Sequence, residues 1–325
     1  MTVIVKKFNY VRFITFIVVV IAVIAGAIIG VKSLINDMNY KKTTEYKLLS
    51  MDYTMEETKI LMDNLSDSEL EKILTYEKNS NIVNLVQEKY FLFGYLDKYL
   101  YYMKNNKKET DYYKIIAIIN TDASVEWIDE ERDTKIEDGD LMLVNRLYGL
   151  SSDYEPEDLV SIPVKYAFDG KRIKNSILDN ITGLMDEASE NGFKLIVTDA
   201  YRSYSDQNNI YNSYADLNGR SEADKIVARP GHSEYQTGLS FDLEPYAKVY
   251  DTPLMSEEYL WLKNNAHKYG FIFRFESDKE YLTGFRASTW RLRYVGVEAA
   301  KIIHDENICF EEYYGFYVRG DKNEW

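Results

Sequence analysis

The sequence is poor in the residues that build disulfides and thiolate metal sites. It has one cysteine, Cys309, and three histidines among 325 residues. One cysteine cannot form an internal disulfide, and it also excludes every thiolate metal cluster. Any metal site in this protein would therefore depend on the three histidines and on carboxylates.

Positive charge is also scarce. The chain has 39 Lys and Arg against 53 Asp and Glu, which gives a formal net charge of −14, and no basic block follows the N-terminal apolar run. Because nucleic-acid binding needs a basic stripe or patch, we expect no nucleic-acid partner. Apolar residues are plentiful, and a hydrophobic content of 46% excludes a disordered chain.

A long apolar run lies near the N-terminus. FITFIVVVIAVIAGAIIGV covers residues 13 to 31 without a charge, which at about 1.5 Å per residue nearly spans a bilayer core of about 30 Å. Basic residues flank the run on both sides and orient it only weakly. We expect residues 1 to 12 to form a cytoplasmic tail, residues 13 to 31 a single transmembrane helix, and the rest of the chain to be extracytoplasmic. A cleaved signal peptide is the alternative, because Ala25-Gly26-Ala27 has the form of a cleavage site.

Residues 32 to 135 are predicted to form a polar connector and a mainly helical spacer. Ser66 to Glu69 has the pattern of a capping box before LEKIL. The tyrosine-rich segment 90 to 103 could face a partner or membrane, although packing against its own domain is favoured. The apolar runs KIIAII (114 to 119) and LMLV (141 to 144) each predict a buried strand.

Residues 136 to 325 are predicted to form one domain in which helices and strands interleave. Apolar spacing from 177 to 188 predicts a helix, and KLIVTDA (194 to 200) a strand. Residues 239 to 243 alternate, so Asp242 points away from the apolar face of its strand. EEYLWLKNNAHK reads as a helix ended by Gly270, with FIFRF and TWRLRYVG as strands. Strict βαβ order is absent, which predicts an α+β fold.

Four ordered segments of this domain carry a resemblance to a known family. They are DAYRSYSDQ, GHSEYQTGLSFDL, WLKNNAHKYGFIFRF and TWRLRYVG, and LMLVNRLYGLSSDYEPEDLV precedes them. In order and spacing they resemble the VanY-type zinc D-Ala-D-Ala carboxypeptidases over about residues 140 to 305. The resemblance implies a carboxypeptidase-like fold of the hedgehog/DD-peptidase type and a role at bacterial peptidoglycan.

The resemblance also implies a zinc site, but the sequence departs from the family pattern there. The family motif SxHxxGxAxD aligns with Ser233 to Asp242, and Tyr235 stands where the family has a histidine ligand. The motif ExWH aligns with residues 288 to 291, where Ser288 replaces the glutamate base and Arg291 the third ligand. Asp242 is the only retained ligand position. We therefore expect no catalytic residues and no zinc or other cofactor.

His232 is not expected to replace the missing ligand, because it lies three positions from Tyr235 on a tight turn. Charge balance suggests a different substitute. A buried carboxylate without a partner is strongly destabilising, and Arg291 could neutralise Asp242 as zinc would. We predict that the Arg291 guanidinium takes the metal position and pairs with Asp242, while the Tyr235 phenol fills the volume of the histidine.

The resemblance implies that the substrate-facing part of the pocket is retained. Arg202 matches an arginine that contacts the backbone or terminal carboxylate of the ligand, Ser233 matches a ligand-contacting serine, and two further side chains line the cleft. The candidate ligand-binding residues are Arg202, Gln207, Ser233, Asp242 and Trp290. Each has a structural alternative: Arg202 could pair with Asp199 or Asp242, Ser233 could cap a turn, and Trp290 could belong to the core.

Three functions are compatible with these observations. The favoured interpretation is a membrane-anchored pseudoenzyme that recognises the peptidoglycan stem peptide or an envelope protein. The alternatives are an active D,D-carboxypeptidase that trims terminal D-Ala with an atypical metal site, and an inert structural scaffold of an envelope complex. Wall synthesis, division and sporulation all remain open as the process served.

Overall fold

The computed structural model describes residues 10–123, 127, 132–249 and 256–319. Its contacts divide the chain into two compact units, Met1–Leu100 and Tyr101–Trp325. Helices and strands are mixed in the second unit, so the predicted α+β class is confirmed. The predicted boundary at residue 136 stays a prediction.

The first unit is helical. Its long N-terminal helix is α1 (Tyr10–Tyr40), and Ile14–Tyr40 is the one stretch among the described residues long and apolar enough to cross a membrane. None of its most apolar window is buried. Length and composition fit a membrane span and a signal sequence equally. The remaining helices are α2 (Thr44–Ser50), α3 (Met55–Asn64), α4 (Asp67–Ile73) and α5 (Ser80–Leu85).

Local capping explains where these short helices begin. The predicted capping box is present, because the Ser66 hydroxyl accepts from the Glu69 backbone N–H and the Glu69 carboxylate accepts from the Ser66 N–H. Thr54 and Glu57 form a second box at the start of α3. Within the tyrosine-rich segment Tyr99 is buried, as the packing interpretation expects. The next helix, α6 (Leu96–Asn105), contains the boundary between the units.

The predicted strand at KIIAII is wrong. The segment lies in helix α7 (Tyr112–Thr121), whose first turn is capped by the Asp111 carboxylate accepting from the Lys114 N–H. A short apolar run does not distinguish a buried strand from a buried helix, and here the cap favours the helix. The LMLV strand is wrong as well. Met142, Leu143 and Val144 are buried but lie in irregular backbone after a 3-10 segment, Ile136–Leu141.

A four-stranded antiparallel sheet forms the centre of the second unit. Its strands are β5 (Leu195–Asp199), β6 (Ser240–Pro245), β7 (Phe271–Phe273) and β8 (Arg291–Tyr294), in the order β5-β6-β8-β7. Every residue of β6 is buried, because β6 is internal to the sheet and covered on both faces. Two small sheets accompany it: β1 (Arg132–Asp133) with β2 (Tyr148–Gly149), and β3 (Leu159–Ser161) with β4 (Arg172–Lys174).

Helices cover the sheet and close the core. The predicted helix from 177 to 188 is α8 (Leu178–Glu190), and its apolar face, which includes Ile181, Leu184 and Met185, packs into the core with Phe241 of β6. The others are α9 (Tyr204–Asn218), α10 (Arg220–Ala223), α11 (Glu257–Asn265), α12 (Glu280–Thr283), α13 (Val297–Glu306) and α14 (Phe310–Tyr313). After α11 the chain continues as a 3-10 turn that ends at Gly270, as predicted.

Candidate functional site

Three charged residues lie side by side across the central sheet. The register pairs Asp199 of β5 with Asp242 of β6, after a bulge in β5, and pairs Asp242 with Arg291 of β8. Strand pairing therefore brings together residues that are up to 92 positions apart in the sequence. Directly opposed residues are close enough for their side chains to interact, so this row is the frame of the candidate site.

Arg291 forms the ion pair that the sequence predicts. Its Nε lies 3.2 Å from Asp242 Oδ1 and 2.9 Å from the Tyr235 hydroxyl. Asp242 is 8% exposed, so its negative charge is held in a largely dry environment. Burial opposes the charged form of Arg291, but Tyr235 and Asp242 outweigh burial and raise its pKa. Arg291 is therefore a permanent cation at this position.

Tyr235 fills the space between two arginines. It lies in a 3-10 turn, Glu234–Thr237, that ends at Gly238 in the left-handed region, where an added Cβ would come 3.0 Å from Leu159. Its ring centroid is 4.5 Å from the Arg291 guanidinium carbon and 4.1 Å from that of Arg202. Burial raises the pKa of the Tyr235 phenol well above its ordinary value. The phenol is thus neutral at physiological pH and a poor metal ligand.

Arg202 adopts the structural alternative that the sequence left open. Its Nε donates to Asp199 Oδ2 at 3.0 Å, and its Nη2 also contacts that oxygen. Its Nη1 donates to Gln207 Oε1 at 3.2 Å, while Gln207 Nε2 donates to the Ala228 carbonyl. Burial would raise the pKa of Asp199, but the charge and hydrogen bond of Arg202 lower it, with help from Lys171. Arg202 is therefore locked in place by its neighbours.

The other predicted site residues surround this cluster. The Ser288 hydroxyl accepts from the Arg291 backbone N–H at 3.3 Å, and the Trp290 carbonyl accepts from the Leu243 N–H. Ser233 is buried at the start of the Tyr235 turn, but its side chain makes no capping bond there. Trp290 is 36% exposed, more than a core residue would be. Roles for Ser233, Gln207 and Trp290 in ligand binding stay predictions.

The histidines lie in other contacts. His232 is buried, its Nδ1 lies 2.7 Å from the Asn145 carbonyl oxygen, and its ring contacts the edge of Trp127 at 5.2 Å. A Cβ at Gly149 would come 3.0 Å from the His232 ring, so glycine there makes room for it. His267 and His304 stack on each other with ring centroids 3.8 Å apart. The described contacts of all three histidines are thus structural.

A buried ionic cluster beside Tyr235 was missed from the sequence. Arg274 donates to Glu234 Oε1 at 2.9 Å and to both oxygens of Glu311, and Arg293 donates to the same Glu234 oxygen at 3.2 Å. All four side chains are almost fully buried. Because Glu234 immediately precedes Tyr235, this cluster fixes the turn that presents the phenol. The hint in the sequence was charge inside apolar segments, since Arg274 interrupts FIFRF and Arg293 interrupts RLRYV.

Comparison with known proteins gives a consistent result. The family profile of VanY, D-alanyl-D-alanine carboxypeptidase, matches residues 170–297. A D-alanyl-D-alanine carboxypeptidase of Enterococcus faecalis is 34% identical over 53% of this chain and 65% of its own length. The structure of the LD-carboxypeptidase LdcB, described as revealing peptidoglycan recognition, is 34% identical, with a TM-score of 0.53, and the match covers 60% of this chain and 94% of LdcB.

A further solved structure shows a ligand. The D,D-dipeptidase VanXYg, in complex with a D-Ala-D-Ala phosphinate analogue, is 31% identical with a TM-score of 0.50, over 55% of this chain and 71% of that one. The chain spans 66% and 65% of the lengths of two curated relatives, slightly under two thirds. The activities of those whole proteins therefore extend to this chain only as proposals.

The expectation of no cofactor is corrected by the same comparison. A VanY variant solved in complex with Zn(II) is 32% identical over 54% of this chain and 98% of that chain, with a TM-score of 0.48. Zn(II) is thus bound by a VanY protein, and zinc is the metal with which the side chains of this site are compared. The sequence-based expectation was wrong because it inferred the cofactor from individual ligand positions and not from the family.

The side chains described here fit zinc poorly in their present arrangement. Catalytic zinc takes three protein ligands from histidine, cysteine and carboxylate groups and keeps one open position. Asp242 offers one carboxylate, Tyr235 a neutral phenol, and Arg291 a cation without a lone pair. Within residues 10–123, 127, 132–249 and 256–319, no group of three or more His, Cys, Asp or Glu is placed to hold a metal. The present arrangement therefore offers one carboxylate, where a catalytic zinc needs three protein ligands.

Proposed function

This chain belongs to the VanY family of D-alanyl-D-alanine carboxypeptidases, and from that membership we propose that it binds peptidoglycan stem peptide without hydrolysing it. In this proposal α1 anchors the protein in the cell membrane with its N-terminus inside, and the second unit lies on the extracytoplasmic side. The candidate site around Arg202 and Arg291 receives the end of the peptide.

The observation that carries the proposal is the pairing of Arg291 with Asp242 and Tyr235. Hydrolysis of a peptide bond needs an activated water and a base beside it. By the resemblance, the base position is held by Ser288, whose hydroxyl accepts from the Arg291 backbone N–H. A serine hydroxyl is not basic at neutral pH, and the Arg291 guanidinium held by Asp242 and Tyr235 is a cation that attracts anions and cannot take a proton from water. The arrangement therefore supports binding more than catalysis.

Support for binding comes from the ordered polar groups of the candidate site. Arg202 is held by Asp199 and Gln207, so little side-chain entropy is lost when it contacts a ligand. A relative binds a D-Ala-D-Ala analogue, and LdcB is described as recognising peptidoglycan. An envelope protein partner is the second possible ligand class, with the stem peptide preferred because of this kinship.

An active D,D-carboxypeptidase is the competing function. It is favoured by one specific observation, that curated relatives carry the name D-alanyl-D-alanine carboxypeptidase. In that case the Arg291 side chain would have to leave Asp242 for a metal to bind. The scaffold hypothesis differs from these two functions, since it predicts that no peptide binds the candidate site.

A single set of measurements on the full-length chain in detergent micelles separates these functions. Release of D-Ala from a pentapeptide stem is assayed with added Zn(II), without it, and with a chelator, while peptide binding is measured by calorimetry. We expect binding and no D-Ala release in any condition, and weaker binding by Arg202→Ala. Release that the chelator abolishes would establish the active enzyme. Absence of binding, with normal folding, would favour the scaffold.

A further inference from the structure

Arg291 has hydrogen-bonding capacity that none of the described residues uses. Its Nε makes both of its hydrogen bonds, to Tyr235 and Asp242, and among the described residues Nη1 and Nη2 make none. Neither amino nitrogen is sealed from solvent, and 19% of the side chain is exposed. One edge of the guanidinium is therefore pinned, while its two terminal nitrogens are free to meet a ligand.

The charges around Tyr235 are unbalanced in the same direction. In the part of the chain that the structure describes, the ion pairs of Lys171, Arg202 and Arg291 involve two carboxylates, Asp199 and Asp242. Three cations against two anions leave one excess positive charge, because the Tyr235 phenol is neutral. The cluster is thus suited to one additional negative charge.

The neighbouring buried cluster shows that this excess is local. Arg274 and Arg293 face Glu234 and Glu311, two cations against two anions. Its arginines donate to these carboxylates and to backbone carbonyls, and the carboxylates also accept from the side chains of Ser240 and Asn145. In a chain with a net charge of −14, an uncompensated cation with two free amino groups is an unusual feature.

We propose that Nη1 and Nη2 of Arg291 bind the C-terminal carboxylate of the stem peptide. A planar guanidinium with two parallel N–H groups matches a carboxylate in a bidentate pair, and a single carboxylate supplies the one negative charge that balances the cluster. The proposal rests on the proposed function for the choice of ligand. It adds that recognition is directed at the terminal carboxylate and that Arg291 provides it.

The test compares a peptide acid with its amide. The full-length chain in detergent micelles is titrated by calorimetry with diacetyl-Lys-D-Ala-D-Ala and with the same peptide carrying a C-terminal amide. Because a hydrogen bond to a charged group is worth more than a neutral one, the acid should bind at least about tenfold more tightly. Arg291→Lys keeps the charge but loses the planar pair of N–H donors. It should therefore reduce the ratio of acid affinity to amide affinity to about threefold or less.

Two further variants make the result specific. Arg286→Lys, at an exposed arginine that pairs with Glu222, should keep the wild-type ratio. Arg202→Lys should weaken acid and amide alike. If Arg291→Lys does not fold, as judged by its melting temperature, the neutral pair Asp242→Asn with Arg291→Gln replaces it and should also lose the preference for the acid.

Each outcome bears on a definite claim. Equal binding of acid and amide by the wild type refutes the role of Arg291 and leaves stem-peptide binding standing. Loss of the preference in Arg202→Lys but not in Arg291→Lys moves the carboxylate to Arg202 and also refutes it. Binding of neither peptide overturns the proposed function together with this inference.

Discussion

Removal of the Arg291 guanidinium should destabilise the second unit, because it leaves the Asp242 carboxylate buried beside only a phenol. The perturbation is Arg291→Met, which keeps a similar apolar stem and removes the charge. Asp242 is 8% exposed and loses its cationic partner, although the Tyr235 hydroxyl remains next to it. The variant therefore tests how much the Arg291–Asp242 ion pair contributes to the free energy of unfolding.

The magnitude follows from the burial of the pair. Two unit charges about 4 Å apart attract by about 4 kcal/mol at an effective dielectric constant of about 20. Breaking a buried pair by removing one partner costs about 3–5 kcal/mol, since the remaining charge is left uncompensated. We therefore expect the free energy of unfolding to fall by about 3–5 kcal/mol. Arg286→Met, in a pair whose arginine is 52% exposed, should cost less than about 1 kcal/mol.

The assay is equilibrium unfolding in urea, followed by tryptophan fluorescence on the full-length chain in detergent micelles. All four tryptophans follow residue 100, so their fluorescence reports on the second unit. The double variant Asp242→Asn with Arg291→Met should recover more than half of the lost stability, because the unpaired charge is gone. A loss below about 1 kcal/mol in the single variant, or no recovery in the double one, would refute the reasoning.

Three other predictions concern catalysis, pH and local capping. Combining Tyr235→His, Ser288→Glu and Arg291→His should give D-Ala release that a chelator abolishes, and no release would show that the backbone of the site has also diverged. Burial, and then the neighbouring His304 ring, lowers the pKa of His267, so the folded protein favours its neutral form. Stability should therefore fall as the pH drops below about 6.5, where the unfolded chain takes up the proton first, and His267→Gln should reduce that fall in melting temperature. Ser66→Ala should cost about 1 kcal/mol through loss of the α4 cap, seen as a lower melting temperature.

The sequence predicted well those features that depend on local chemistry. The Ser66 capping box, the glycine that ends the 3-10 turn after α11, and the packing of Phe241 and Leu243 into the core are each determined by a few neighbouring residues. The pairing of Arg291 with Asp242 was also predictable, although 49 residues separate them. It was predictable because the family motifs assign both positions to one site, and a buried carboxylate requires a cation.

Features that depend on tertiary contacts were missed. The apolar neighbours of Arg274 and Arg293 hint that these arginines are buried, but nothing local identifies Glu234 as their partner before the fold brings them together. The strand prediction for KIIAII failed for a different reason. Its apolar run fits a buried strand or a buried helix, and the deciding residue, Asp111, lies outside the run. Short apolar segments are ambiguous until their caps are considered.

The structure of the row Asp199, Asp242 and Arg291 suggests why this site can change its chemistry without losing its fold. Strand register places two carboxylates on neighbouring strands, and the fold is stable only if cations compensate them. That requirement specifies charge and not chemical identity, and here the Arg291 guanidinium meets it at Asp242. A cation that hydrogen-bonds through one edge still offers its other edge to an anion. Under the proposed function, an arginine in this row keeps anion binding without activating water, so that a peptide-binding protein would be a small step from a peptidase.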